Sequence, residues 1–347
     1  MNFKFYAQLL DSLTSLYKIS KRMLSERIFN ISDQKDFNQI ALEIFSYQFQ
    51  HNLVYREFCE LLNRTPENIS ELKDIPFLPI EFFKKKIVVS GKQPVEIIFN
   101  SSGTTGATTS KHYVSDLEVY EQSFLKAFEL FYGNPEDTVI LALLPSYLER
   151  EGSSLIYMAN SLINRSKHPE SGFYLNDLEN LQKQLKKLDK SGKKILLLGV
   201  SFALLELVEN YEFDLKNTMV METGGMKGRR KEMIREELHH ILAEGFGVNT
   251  IHSEYGMTEL LSQAYSTGNG VFNCPPWMKI LIRDPEDALS YLPNNKTGGI
   301  NVIDLANINS CSFIATQDLG KKISSDTIEI LGRFDNSDVR GCNLLML

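Results

Sequence analysis

The chain lacks the charge surplus and the cysteine spacing that would place it in several common classes of protein. Its 37 Lys and Arg are outnumbered by 44 Asp and Glu, which gives a net charge of −7. A nucleic-acid-binding surface is therefore not expected. The four cysteines are widely scattered and form no CxxC pair, so neither a zinc site nor a disulfide framework is supported.

Signals for membrane insertion and export are equally scarce. The longest apolar runs, such as 195–198, are far too short to span a bilayer. The N-terminus has no basic start followed by a long apolar stretch. We therefore expect a cytoplasmic protein without a membrane span. At 347 residues, of which 43% are hydrophobic, the chain is long enough to bury a full core in about two domains.

Hydrophobic spacing divides the chain into three predicted regions. Residues 1–85 read as a helical N-terminal region, because Leu, Ile and Phe recur at helical spacing. Its proline-containing stretch 75–80 would end any helix and serve as an apolar connector. Residues 86–331 alternate strands with helices, which predicts an α/β core. Residues 332–347 form a hinge-like segment and a C-terminal tail.

Several elements of the core are predicted by apolar runs and turn residues. Strands are predicted at 96–99, 138–144, 193–198, 219–221 and 248–251. One helix is expected to begin at Asn176-Asp177 and to carry Leu178, Leu181, Leu185 and Leu188 on one face. A charged helix is expected over 227–243, with His239 and His240 facing solvent. The part after Trp277 is expected to be β-rich, with turns at 293–295 and at Gly298-Gly299.

The most distinctive string is a loop rich in glycine and hydroxyl side chains, which ends in a lysine and a histidine. Glycines let the backbone fold tightly around an anion, hydroxyls can donate to phosphate oxygens, and a lysine can neutralise charge. The residues concerned are Ser101, Ser102, Gly103, Thr104, Thr105, Gly106, Lys111 and His112. The spacing fits neither a Walker A loop nor a dinucleotide fingerprint, and taken alone the string is equally consistent with a polar surface loop.

The second string is Tyr255-Gly256-Met257-Thr258-Glu259, directly after a predicted strand. A tyrosine ring can stack on a nucleobase, Thr258 offers a hydroxyl, and Glu259 offers a hard oxygen ligand that suits Mg²⁺. Taken alone, the pentapeptide is more simply a turn between a strand and a helix.

Together the two strings resemble the adenylate-forming superfamily of acyl-CoA synthetases, luciferases and peptide-synthetase adenylation domains. Further matches follow in the same order along residues 95–347. Gly224-Gly225 resembles the glycine motif beside the adenine. Thr316–Gly320 resembles the TGD motif, although Gln317 replaces its glycine. Gly332-Arg333-Phe334-Asp335, with Arg340-Gly341, resembles the GRxD…RG hinge.

Within the superfamily the chain is most similar to the acyl-protein synthetase family, which includes the fatty-acid-activating subunit of the bacterial bioluminescence reductase complex. The strings that carry this resemblance are residues 145–150, 222–229 and 276–278. The phenylacetate–CoA ligases are the nearest alternative. The resemblance implies the large α/β domain of adenylate-forming enzymes with a truncated tail in place of their mobile small domain. Only seven residues follow Arg340, so the lysine of that small domain and its rotation are not expected.

The resemblance also implies a chemistry that uses ATP and Mg²⁺ to activate a carboxylic, most simply a fatty, acid. In it, Ser102–Thr105 hold the β- and γ-phosphates, Thr258 contacts the α-phosphate and Glu259 holds Mg²⁺. Tyr255 and Gly224-Gly225 bracket the adenine, and Asp318 and Arg333 hold the ribose. Cys342 takes the acyl group and passes it to a partner such as an acyl reductase.

Other interpretations stay open at this point. CoA or an acyl-carrier protein could accept the acyl group, in which case Cys342 is only a small buried thiol. The chain could also be a nucleotide-binding regulatory subunit without activity. Trp277 could line a pocket or pack in the core, and the role of 149–151 is undecided. The remaining cysteines are predicted to be structural, and His112 and His252 to be fillers at loop edges.

Overall fold

The computed structural model of the chain describes residues 24–101, 109–144, 152–174, 177–224, 233–324 and 327–334. Residues 24–28 are helical. The later helices are α1 (Gln34–His51), α2 (Leu53–Leu61), α3 (Phe82–Lys85), α4 (Leu117–Tyr132), α5 (Ser154–Arg165), α6 (Leu178–Lys190), α7 (Ser201–Asn210) and α8 (Arg235–Phe246). Short 3₁₀ helices lie at Leu72–Asp74, Pro135–Asp137 and Leu305–Asn307.

The strands of the described residues build one large mixed sheet and a separate hairpin. They are β1 (Leu78–Pro79), β2 (Ile97–Asn100), β3 (Lys111–Val114), β4 (Val139–Leu143), β5 (Gly172–Phe173), β6 (Ile195–Val200), β7 (Thr218–Thr223), β8 (Ile251–Tyr255), β9 (Ala264–Ser266), β10 (Val271–Asn273), β11 (Met278–Arg283), β12 (Thr297–Asp304), β13 (Phe313–Lys322) and β14 (Thr327–Arg333). The sheet order is β11-β12-β13-β14-β10-β9-β8-β7-β6-β4-β5, with β1 added to β13, and β2 pairs with β3.

The sheet has a parallel half and an antiparallel half that meet at β8. Strands β5, β4, β6, β7 and β8 run parallel, whereas β8 and β9 pair antiparallel, as do the strands from β10 to β14. Every residue of β4 and β6 is buried, as expected for parallel strands covered on both faces. The α/β class and the β-rich part after Trp277 are thus confirmed.

Helix α6 forms where its sequence predicts. The Asp177 carboxylate accepts a hydrogen bond from the Asn180 N–H at 3.0 Å, which caps the first turn. Leu181, Leu185 and Leu188 are buried on one face. The carboxylate of Asp189, near the end of the helix, accepts from backbone N–H groups just before β7 and so fixes the start of that strand.

The N-terminal helices pack on the antiparallel half of the sheet. The Tyr55 ring of α2 stacks on Phe313 of β13, with ring centroids 6.1 Å apart. The buried Gln48 amide of α1 donates to the carbonyls of Asn307 and Ile308. The predicted connector 75–80 also supplies β1, which pairs in parallel with β13. The boundary at residue 85 stays a prediction.

Two predicted boundaries were wrong for a local reason. Helix α8 begins at Arg235, since Met233 and Ile234 are not helical. Gly247 ends it in the left-handed region at φ +68°, and the Val248 N–H then bonds back to the Ala243 carbonyl. Residues 248–250 therefore connect the helix to the next strand. As a result, β8 begins at Ile251 instead of Val248, and it ends at Tyr255.

The predicted turn at Gly298-Gly299 was also wrong, because both glycines lie inside β12. A Cβ on Gly299 would stand 2.4 Å from Cζ of Arg283 on the neighbouring strand β11. The Arg283 guanidinium donates to the carbonyls of Ile300 and Thr316 in that space. These glycines therefore make room for an arginine, whereas the predicted turn near 293–295 is present, with Asn295 at φ +62°.

Within the described ranges, no helix combines the length and the apolar character needed to cross a membrane.

Candidate active site

Most of the described motif residues gather where the parallel strands end at the middle of the sheet. Thr223 of β7 lies opposite Glu254 of β8. Gly224, just past the end of β7, therefore lies beside Tyr255, the last residue of β8. Gly224 has φ +67°, and its carbonyl accepts a hydrogen bond from the Ser201 hydroxyl at 2.7 Å. Such an edge, beyond the carboxyl ends of parallel strands, is where open α/β sheets commonly bind ligands.

Tyr255, Asp318 and Arg333 form one cluster, here named the Asp318 corner. The Tyr255 hydroxyl donates to Oδ2 of Asp318 at 2.8 Å, and Nε of Arg333 lies 3.4 Å from Oδ1. Asp318 and Arg333 face each other on β13 and β14. Burial raises the pKa of Asp318, while the tyrosine hydrogen bond and the arginine charge oppose that rise. The Arg333 side chain is 82% exposed, so the corner opens to solvent.

Glu259 lies in a second cluster, the Glu259 turn (residues 257–262), which begins with a bond from the Leu260 N–H to the Met257 carbonyl. Glu259 is only 4% exposed. Burial raises the pKa of its carboxyl group, and a hydrogen bond from the Ser110 side chain opposes that rise.

The Ser110 side chain that reaches Glu259 stands at the neck of the glycine-rich loop. The Ser110 N–H donates to the Ser101 hydroxyl oxygen at 2.8 Å, and the Ser101 N–H donates to the Ser110 carbonyl at 3.0 Å. The two serines, one on each side of the loop, are thus joined by two hydrogen bonds. The structure therefore brings the neck of the first motif against the acidic residue of the second, although 149 positions, from 110 to 259, separate them in the sequence.

The turn is also held from its buried side. His112 is fully buried and contacts the Thr258 carbonyl through Nδ1 and the Asn307 side chain through Nε2. Burial lowers the pKa of His112 to about 4, and both hydrogen bonds oppose that change. The interpretation of His112 as a filler at a loop edge was therefore wrong.

A buried aspartate supports the following residues. Asp304, at the end of β12, accepts from the N–H groups of Leu261 and Ser262 at 2.7 and 3.0 Å and from the Ser262 hydroxyl. Burial raises the pKa of Asp304 to about 6, against these hydrogen bonds. Sequence reasoning missed Asp304, because it stands in an apolar strand without any motif around it.

Glu254 is a second buried acid that the sequence did not single out. The Thr223 hydroxyl donates to its Oε2. A side chain at position 256 would place its Cβ only 2.4 Å from Oε1 of Glu254. This close approach explains why a glycine follows Tyr255. Burial raises the pKa of Glu254 to about 7, and the nearby Glu222 charge adds to the rise.

The charged helix α8 also reaches the site, which corrects the predicted exposure of His239. Its Nε2 lies 3.5 Å from Oε1 of the buried Glu222 and 3.3 Å from the Ser253 hydroxyl. Burial disfavours the charge on Glu222, but His239 and Arg235 more than offset it and lower its pKa. His240 is exposed, as predicted.

Other residues with open interpretations now have clear places. Trp277 is buried, and its ring N–H donates to the hydroxyls of Ser123 and Ser262 at 3.0 and 3.1 Å, so it is a core residue. Cys59 and Cys311 are buried in the core. His252 is half-buried beside the ring of Tyr132.

The remaining expected site residues are either exposed or half-buried, or they lie outside the described residues. Lys111 is exposed at the start of β3. Met257 and Thr258 are half-buried in the turn. Outside the described ranges lie Ser102, Gly103, Thr104, Thr105, Gly106, Gly225 and Cys342, together with residues 145–151.

The described residues include no group of three or more His, Cys, Asp or Glu that could hold a metal by themselves. Mg²⁺ is commonly held by one or two carboxylates together with substrate phosphates and water. A single buried carboxylate next to a hydroxyl-rich loop, as at Glu259 and Ser110, fits a metal ion that enters with a phosphate ligand.

Comparison with known proteins gives a consistent result for sequence and fold. The family described as "Acyl-protein synthetase, LuxE" matches residues 9–119 and 156–347. A long-chain-fatty-acid–luciferin-component ligase of Vibrio harveyi is 23% identical over 92% of this chain and 89% of that protein. A ligase of the same name from Photorhabdus luminescens is 32% identical over 21% of this chain and 63% of that protein.

The solved structures confirm the expected fold. The chain is similar to a 2-hydroxyisobutyryl-CoA ligase, in an open conformation with 2-HIB-AMP and CoA, with a TM-score of 0.66. The match has 13% identity and covers 88% of this chain and 77% of that one. The described residues thus have the architecture of adenylate-forming ligases.

Proposed function

The chain belongs to the LuxE acyl-protein synthetase family, and on that premise we propose that it activates a fatty acid with ATP and passes the acyl group to its own Cys342. The observation that carries the proposal is the hydrogen-bond contact at 2.9 Å between Nδ1 of His112, just after the glycine-rich loop, and the carbonyl of Thr258, next to the buried Glu259. It supports the assignment of phosphate binding to the glycine-rich loop and of Mg²⁺ to Glu259.

In the first step, an oxygen of the fatty-acid carboxylate bonds to the α-phosphorus of ATP. The bond from that phosphorus to the bridging oxygen of the β-phosphate breaks, and pyrophosphate leaves. Such phosphorus chemistry depends mainly on positioning and charge neutralisation. We assign Ser102–Thr105 to the β- and γ-phosphates, Thr258 to the α-phosphate and Glu259 to Mg²⁺. When bound, Mg²⁺ offsets negative charge on the triphosphate.

The nucleoside would lie against the Asp318 corner. Tyr255 ends β8 beside Gly224, which follows β7, and this suits an adenine between a ring and a glycine backbone. The Asp318 carboxylate, fixed by the Tyr255 hydroxyl, would accept hydrogen bonds from the ribose hydroxyls, with Arg333 next to it. The solved 2-hydroxyisobutyryl-CoA ligase contains 2-HIB-AMP, which supports an adenylate as the intermediate on this fold.

In the second step, the Cys342 thiolate attacks the acyl carbon of the adenylate. A C–S bond forms, the C–O bond to AMP breaks, and AMP leaves; the thiol proton has already passed to solvent. The thioester keeps most of the activation for transfer to a partner such as an acyl reductase. The alternative is direct transfer to CoA, which the related ligase structure contains.

The test follows each half-reaction separately. Protein, ATP, Mg²⁺ and myristate are incubated, and pyrophosphate release and intact protein mass are recorded. We expect a hydroxylamine-sensitive increase in mass that maps to the C-terminal peptide. Cys342→Ser should lose this increase and keep ATP–pyrophosphate exchange, whereas the control Cys274→Ser should keep both. Acyl-CoA formation by Cys342→Ser at the wild-type rate would support the CoA-ligase alternative instead.

A further inference from the structure

A buried side-chain bridge joins the two motifs beneath the candidate site. His112 lies on β3, directly after the glycine-rich loop, and Asn307 lies at the end of the 3₁₀ helix before β13. Both are fully buried. His112 reaches the Thr258 carbonyl at 2.9 Å and the Asn307 Oδ1 at 3.0 Å. The strand that follows the loop is therefore connected to the turn through two buried side chains that are not accessible to water.

The orientation of Asn307 follows from its other contacts. Its Nδ2 donates to the carbonyl of Glu259 at 2.7 Å and to that of Cys311 at 2.9 Å. Rotating the amide by 180° would turn Oδ1 towards two carbonyl oxygens and lose both bonds. Oδ1 therefore faces the histidine ring, and Asn307 holds the Glu259 backbone. Because the Thr258 carbonyl and Asn307 Oδ1 are both acceptors, the single N–H of the neutral His112 ring donates to one of them, and the other ring nitrogen only packs against its partner.

The two bridge residues contact the backbone carbonyls of consecutive residues of the Glu259 turn, Thr258 and Glu259. The Asp304 carboxylate accepts hydrogen bonds from the N–H groups of Leu261 and Ser262. In consequence, the backbone of the turn is fixed at 258, 259, 261 and 262 by side chains from two distant segments, residue 112 and residues 304–307. Such support sets where the side chains of Thr258 and Glu259 point, since a side chain follows its own backbone.

We propose that His112 and Asn307 are positioning residues that fix the Glu259 turn against β3, directly after the glycine-rich loop, before substrate binds. The inference rests on the proposed function, in which Thr258 and Glu259 act on the triphosphate. Neither residue touches the reacting atoms. Their effect is on geometry, and displacement of reacting groups by about 1 Å can cost about a hundredfold in rate.

The central variant is His112→Phe. Phenylalanine keeps the edge-to-face packing on Phe83, whose ring centroid is 5.8 Å from that of His112, and removes both polar contacts. Tyr55→Phe is the matched control. It removes one buried hydrogen bond, from the Tyr55 hydroxyl to the Pro76 carbonyl at 2.7 Å, without touching either motif. His112→Asn is the conservative variant, because an asparagine N–H can take the place of Nδ1 opposite Thr258.

Two measurements test the bridge. In the protein without ligands, amide hydrogen exchange of a peptide covering 256–262 should be about tenfold faster in His112→Phe than in the wild type. In the full reaction, kcat of ATP–pyrophosphate exchange per folded enzyme should fall about 10- to 100-fold, with a smaller change in KM for ATP. Tyr55→Phe should change neither quantity, and His112→Asn should lie between His112→Phe and the wild type.

The proposal is overturned if His112→Phe only lowers Tm and retains wild-type exchange in residues 256–262 and wild-type kcat per folded enzyme. It is also overturned if Tyr55→Phe reproduces both effects, since the bridge would then act only through global stability. If the wild-type protein performs no ATP–pyrophosphate exchange, the proposed function fails. The hydrogen-exchange comparison would still decide whether the bridge fixes the turn.

Discussion

The Glu259 turn and the Asp318 corner belong to one candidate site, but they are built in opposite ways. The turn is buried and held by Ser110, His112, Asn307 and Asp304. The corner presents an arginine that is 82% exposed, with one ion pair at 3.4 Å. Exposed ion pairs contribute little, whereas removing one partner of a buried polar contact is costly.

The difference indicates how the work of the site is divided. A turn fixed from inside keeps its geometry without a ligand, which is what charge stabilisation during a reaction requires. Under the proposed function, the open corner is where the nucleotide enters and leaves. We therefore expect substitutions in the turn to reduce rate and those at the rim of the corner to alter affinity slightly.

Glu259→Gln gives the sharpest test of this division. The amide has the same shape but cannot supply the negative charge assigned to Mg²⁺. We expect ATP–pyrophosphate exchange to fall by about 10²–10³-fold, with the circular-dichroism spectrum and Tm close to those of the wild type. Exchange at the wild-type rate in a correctly folded variant would contradict the assignment of Glu259.

Glu254→Gln tests the buried side of the site through stability. The folded protein raises the pKa of Glu254 from its ordinary value of 4.5 to about 7, so between these values the folded state binds more protons than the unfolded state. Wild-type stability should therefore decline as pH rises from about 4.5 to 7. Glutamine cannot ionise and can still accept the Thr223 hydrogen bond.

The free energy of unfolding of Glu254→Gln should thus exceed that of the wild type by an amount that grows to about 3 kcal/mol at pH 8 and is small at pH 4.5. Urea denaturation at both pH values measures it. Glu237→Gln, on the exposed face of α8, is the control and should follow the wild type. A difference that is the same at both pH values would show that ionisation of Glu254 plays no part.

The contrast also explains what the sequence could predict. Short sequence motifs contain Tyr255, Glu259 and Asp318, and the chemistry of each motif follows from its residue types. The sheet was predictable from apolar runs such as β4 and β6. The supporting residues Asp304 and Asn307 have no such string. Their partners on the Glu259 turn and on β3 lie between 42 and 195 residues away, and only the folded chain brings them together.

Local patterns misled where a tertiary contact decided. Gly298-Gly299 is a strong turn signal, yet both glycines are needed inside β12. A Cβ on Gly299 would meet the Arg283 side chain, and one on Gly298 would meet the Arg283 carbonyl and the Leu292 side chain. A charged helix predicts solvent exposure, yet His239 packs on Glu222 and Ser253. In each case the deciding neighbour is on another strand or helix, which a single sequence does not identify.

Arg333→Gln is expected to have the smallest effect. Its guanidinium is 82% exposed and meets Asp318 at 3.4 Å, a distance at the long end for an ion pair, while Tyr255 holds the other carboxylate oxygen at 2.8 Å. Asp318 therefore keeps its main partner when the arginine is lost. We expect the Kd for ATP, measured by calorimetry, to rise less than about threefold at 0.15 M salt, where exposed charges are screened. Asp318→Asn, which removes the negative charge and one of the two acceptor oxygens of Asp318, should raise it about tenfold. If Arg333→Gln weakens ATP as much as Asp318→Asn does, the guanidinium contacts the nucleotide directly, and the corner is then as firmly built as the turn once ligand is bound.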